Sequence, residues 1–139
     1  MRPVTRSHLI AAAAAAALAV ALAACGGSTG GGGTPPSPTL TCSTLPSATI
    51  LILNNAACPQ ALSVSRGTQV TFVNNDTRAH EMFSDPHPEH TDCTELNQVG
   101  HLEPGQTRQT GNLNVARRCG FHDHLNDQNR ALQGTITIQ

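Results

Sequence analysis

Cys119-Gly-Phe-His-Asp-His124, with Gly134-Thr-Ile-Thr-Ile138 ten residues further on, sets a thiol and two imidazoles close to a segment built for a strand. Thiolate and imidazole are the soft and borderline donors that copper and zinc take up. In the last segment Ile136 and Ile138 share one side by the two-residue period of a strand, and upstream the same period puts Leu113, Val115, Arg117 and Cys119 on one face. Arg117 is awkward on an inner face, and a bulge or the rim of the structure would relieve it.

Further toward the start the pattern repeats. Ala48 to Leu53 is rich in Ile and Leu, Leu62 and Val64 alternate before Arg66-Gly67, and Val70 and Phe72 alternate before Asn74-Asn75-Asp76. Leu102-Glu-Pro-Gly-Gln106 reads as a turn, with strands on either side of Thr110-Gly111-Asn112. Short strands separated by turn residues, with no convincing helix after the leader, predict an all-β sandwich or barrel.

The chain opens with Arg2 and Arg6 before an alanine- and leucine-rich run from Leu9 to Ala24. That is the layout of an export leader, too short for a confident membrane span. The run ends in Leu22-Ala23-Ala24-Cys25-Gly26, which resembles the lipobox of bacterial lipoproteins. The resemblance implies a cleaved signal peptide (1–24) and lipid on Cys25, which would anchor an exported protein to the cell membrane or outer membrane. Residues 25–41 are Gly, Pro, Ser and Thr with hardly an apolar side chain, a composition that cannot offset its ordering entropy and reads as a flexible tether. Residues 42–139 are left for one compact domain.

Without the leader the chain has six arginines, no lysine and nine carboxylates, a formal charge of −3. That argues against a nucleic-acid partner, which calls for a basic face. Phe72, Phe83 and Phe121 are the only aromatics besides histidine. Six of seven histidines fall between His80 and His124, a density that makes metal binding the leading account. No nucleophile has an elbow or triad spacing, so enzymatic activity is not expected.

Gly67-Thr-Gln-Val-Thr-Phe-Val-Asn-Asn-Asp-Thr-Arg-Ala-His80, then Leu102-Glu-Pro-Gly105, Cys119-x-x-His122 and Gly134-Thr-Ile-Thr-Ile138, resemble in order the landmarks of the cupredoxins, the plastocyanin and azurin family. The resemblance implies a Greek-key β-sandwich with copper at one end, ligated by His80, Cys119 and one of His122 or His124. It also implies electron transfer, with a redox partner. In that family a methionine commonly stands two residues before the glycine of the last strand; here the position is Leu132. The polar segment between His122 and Leu132 is long for a tight ligand loop, which suggests a more open site.

Cys93 closes Glu81-Met-Phe-Ser-Asp-Pro-His-Pro-Glu-His-Thr-Asp-Cys93, a loop that adds His87 and His90 near the same end. Leaving Cys25 aside, four cysteines remain, and an oxidising compartment invites pairing as Cys42–Cys58 and Cys93–Cys119. Were Cys119 paired, copper would fall to histidines from among His80, His87, His90, His122 and His124, with Asp85, Asp92 or Asp123 as extra ligands or partners of the ligands. Were it free, a thiolate site would stand. Three roles follow: a tethered electron carrier, a lipoprotein for copper storage, delivery or detoxification with a copper-handling partner, and a metal-free, disulfide-stapled interaction module.

Overall fold

Short alternating segments cannot bury both faces alone, so they pair and stack. The computed structural model describes residues 39–139. The expected signal peptide, Cys25 and the tether up to residue 38 lie outside the described residues. Nine strands build two sheets: β1 (Thr49–Leu53), β2 (Ala56–Cys58), β3 (Ala61–Val64), β4 (Thr71–Asn74), β5 (His80–Ser84), β6 (Gly100–Leu102), β7 (Thr107–Gln109), β8 (Arg118–Asp123) and β9 (Gly134–Ile138). The first sheet runs β2-β1-β4-β7 and the second β3-β9-β8-β5-β6. β1 pairs parallel with β4 and β3 parallel with β9, the other ladders being antiparallel.

The inward residues of both sheets meet in one core. Ile50, Ile52 and Phe72 come from the first, and Met82, Cys119, Phe121, Ile136 and Ile138 from the second. Phe72 and Phe121 touch edge to face, their ring centroids 5.6 Å apart. Burial of such side chains contributes about 1.5–3 kcal/mol each. The two disulfides are the expected pairs, Cys42–Cys58 and Cys93–Cys119. The first ties the segment ahead of β1 to β2, where Cys58 lies across from the buried Leu51.

Two expectations are corrected. The strand read over 113–119 does not form as a unit: Leu113 makes an isolated bridge to Thr68, and β8 begins only at Arg118. Val115 is exposed, and Arg117 pairs with Glu95 at 2.6 Å instead of entering the core. A guanidinium on an inner face would lose its hydration without a partner, so the chain leaves strand geometry there. Conversely, the segment after His80, read as loop, is strand as far as Ser84.

Candidate metal centre

Residues directly opposite in an antiparallel pair share a face of the sheet. Met82 lies across from Asp123, Phe83 from His122, and Ser84 from Phe121. Met82 and Phe121 enter the core, so Phe83 and His122 stand on the outer face of the second sheet. The segment after β5 folds back over that face. Asp92 N donates to Asp85 O at 2.7 Å, His90 N to Pro86 O at 2.7 Å, and Asn97 ties the segment to β5 by donating to His90 O and accepting from Ser84 N. The Cys93–Cys119 disulfide fixes its far end to β8.

His87 and His90 thereby meet His124, which opens the 3₁₀ turn after β8. One ring nitrogen from each of these three lies within 4.8 Å of the others. His90 Nε2 and His124 Nδ1 are 3.2 Å apart. Phe83 forms the floor, stacked on His90 at 4.6 Å and edge-on to His124 at 5.7 Å. The His122 ring packs against the same group, 5.2 Å from His90 and 5.5 Å from His87. Its Nδ1 is 2.7 Å from Asp85 Oδ1, and its Nε2 is buried without a partner. Burial, then the neighbouring His122, His124 and His87, push the His90 imidazole below its ordinary pKa against a weaker opposing pull from Glu81. Neutral imidazole is the form that ligates.

His80, expected as the first ligand, does not join this group. It points inward, 1% exposed, with Nδ1 2.8 Å from Asp123 Oδ2 and Nε2 3.3 Å from Asp76 Oδ2. Both ring nitrogens face carboxylates inside the sandwich, apart from the imidazoles gathered on the outer face. Its work is support. Asp123 Oδ1 accepts from Glu81 N at 2.8 Å and from Leu125 N at 3.2 Å, so the residue held by His80 also caps the turn that carries His124. Cys119, expected as a thiolate in the other reading, is bonded to Cys93 and lies on the core face. That removes the thiolate and corrects the Cys119 ligand expectation. Leu132 and Met82, the only methionine among the described residues, are packed in the core. The donors that cluster are therefore imidazoles alone, and the residue that sequence reasoning missed is Phe83. The period of two had already set it opposite the core positions Met82 and Ser84.

Asp76 anchors the other side of His80. Burial pushes its carboxyl up, but the Thr77 and Asn55 amides and the His80 ring together hold it below the ordinary carboxylate range. A depressed carboxyl contributes stability that is present above its unfolded pKa and is lost as pH falls through the folded one. Asp76→Asn is therefore expected to cost about 1.5–3 kcal/mol at neutral pH. The variant should also lose less stability than the parent as pH falls below about 4. Denaturant melts at pH 7, 4 and 3 measure both, and parallel losses in the two proteins would refute this role.

No protein-family model matches the chain, and no curated protein sequence does. Solved structures do. A purple cupredoxin from Nitrosopumilus maritimus is 17% identical, with a TM-score of 0.53 over 67% of this chain and all of its own. The oxidized plastocyanin of Dryopteris crassirhizoma is 19% identical, with a TM-score of 0.52 over 66% of this chain and 99% of its own. Amicyanin from Paracoccus versutus is 11% identical at a TM-score of 0.53, covering 72% of this chain and 90% of that one. Identities this low speak for the backbone and not for the ligands, and a backbone shared over 66–72% of this chain and 90–100% of each neighbour makes this sandwich a cupredoxin fold.

Proposed function

We propose that this chain is an exported, lipid-anchored copper protein that captures and hands on the metal through a histidine site. The observation that carries the reading is the gathering of His87, His90 and His124 on the outer face of the second sheet, while Cys119 is held in a disulfide. Imidazoles bind copper and zinc well, and copper stands above zinc in the general order of affinities. Copper also fits the neighbours of known structure, among which are a Cu-containing nitrite reductase and a reduced Cu(I) form of amicyanin. The lipobox-like Leu22-Ala23-Ala24-Cys25 and the tether that follows support a head group held off a membrane by lipid on Cys25. His87, partly exposed, stands at the mouth of the group, 3.6 Å from Asp127, and suits exchange of metal with a copper-handling partner.

Electron transfer is the second reading. It is favoured by the fold, whose plastocyanin neighbours are described in oxidized and reduced forms. The two readings separate in the optical spectrum of the full chain, purified from an oxidising compartment and titrated with Cu(II). Saturable binding with weak, pale absorption is expected. An intense thiolate-to-copper band would establish the electron-transfer site instead, and the absence of saturable binding would refute a copper role.

A further inference from the structure

The three-histidine group leaves one buried polar atom nearby unexplained. His122 is 3% exposed, and its Nε2 has no hydrogen-bond partner. A buried, unpaired imidazole nitrogen destabilises the fold, so it needs a reason. Its other nitrogen is held by Asp85 at 2.7 Å. A carboxylate there fixes the proton on Nδ1 and leaves Nε2 as a bare lone pair, the arrangement that orients and strengthens metal-ligating histidines. The ring sits 5.2 Å from His90 and 5.5 Å from His87, on the same sheet face as Phe83, the floor of the group.

Gly120 makes this arm possible. It stands on the outer face of β8, and a Cβ there would run into the Asp85 carboxylate. Asp85 N also donates to Gly120 O at 3.1 Å, which fixes Asp85 against the strand from which His122 projects. Among the described residues neither a thiolate nor a thioether lies near the group, since Cys93, Cys119 and Met82 all belong to the core and Cys42 and Cys58 are bonded to each other.

We propose that His122, positioned by Asp85, is the fourth donor, and that the centre is a four-imidazole site for a borderline divalent cation, Cu(II) ahead of Cu(I). The proposal rests on the copper reading above and adds to it the donor count and the oxidation state. An all-nitrogen donor set lacks the soft sulfur that selects Cu(I).

The test loads the full chain with Cu(II) alone and counts coupled imidazole nitrogens by pulsed paramagnetic resonance, alongside affinity by chelator competition. Four imidazoles are expected in the parent and three in His122→Gln. Asp85→Asn, which keeps the shape but removes the charge, is expected to weaken Cu(II) binding by about 10–100-fold. Gly120→Ala, which displaces the same carboxylate, should do likewise, and circular dichroism confirms that each variant is folded. If His122→Gln does not fold, the Asp85→Asn affinity decides. An unchanged donor count in His122→Gln, or an unchanged affinity in folded Asp85→Asn, overturns the four-donor site while leaving the three-histidine copper reading standing. Tighter retention of Cu(I) than Cu(II) overturns the oxidation-state preference. A parent that binds no Cu(II) removes both.

Discussion

Cys93→Ala combined with Cys119→Ala is expected to lower stability by about 3–4 kcal/mol, from the loop-closure entropy returned to the unfolded chain when a link between residues 26 apart is cut. For a domain of this size that means a fall in Tm of more than about 10 °C. Both sulfurs are buried, so alanine is a better probe than serine, which would leave two hydroxyls in an apolar core. The loss should not stop at stability. The bridge ties the segment bearing His87 and His90 to the strand bearing His122, and Cu(II) affinity should drop with it. Thermal melts and a copper titration of the double variant, with the reduced parent as companion, measure the effect. A variant that melts within about 2 °C of the parent would mean that the bridge does not hold the fold. The single variant Cys93→Ala adds a sharper outcome. It frees the Cys119 thiol, but on the core side of β8, so copper should stay pale.

Removing two donors should erase the metal's effect on the protein. His87→Ala with His90→Asn is the appropriate pair, because His90 has φ 54° and asparagine tolerates the left-handed region better than alanine. In the parent, Cu(II) at 100 times its dissociation constant should stabilise the fold by about 2.7 kcal/mol. That corresponds to a rise in Tm of roughly 10–20 °C. In the variant the rise should vanish, while the metal-free melting temperature changes little. His87 is partly exposed and His90 packs chiefly on other members of the group, so neither supports the core. A full copper shift in the variant would place the metal elsewhere.

How far the sequence disclosed this can be followed residue by residue. The strands around Ile50, Phe72 and Ile136 were legible because alternation survives whatever packs above it. The two disulfides followed from an even cysteine count and from the positions that flank β1 and the histidine-bearing segments. His87, His90 and His124 were legible as candidate donors by type and density. His80 was not legible as a support, because its role depends on which face of β5 it occupies and on two carboxylates, Asp76 and Asp123, that only the folded chain brings to its two nitrogens. Cys119 could have been settled by parity with Phe121. Counting outward from a core phenylalanine puts Cys119 inside and His122 outside, so the two could not face one metal from a single flat strand. The break at Arg117 was foreshadowed by its charge, but its partner Glu95 lies 22 residues away, and distance along the chain hides such pairs.

The placement of β9 has a consequence for how the domain comes into being. It lies inside the second sheet, between β3 and β8, and pairs Ala61 with Thr135 across most of the domain's length. A chain synthesised from its N-terminus presents β3 long before β9, the strand that joins it to β8. Contacts so distant in sequence form slowly. Throughout that interval β3 lacks its sheet partner and offers an unpaired backbone edge of the kind that recruits other chains. The histidine group, carried by β5, β8 and the segment that follows β5, does not require that last strand, so donors could be gathered while the sheet is still open.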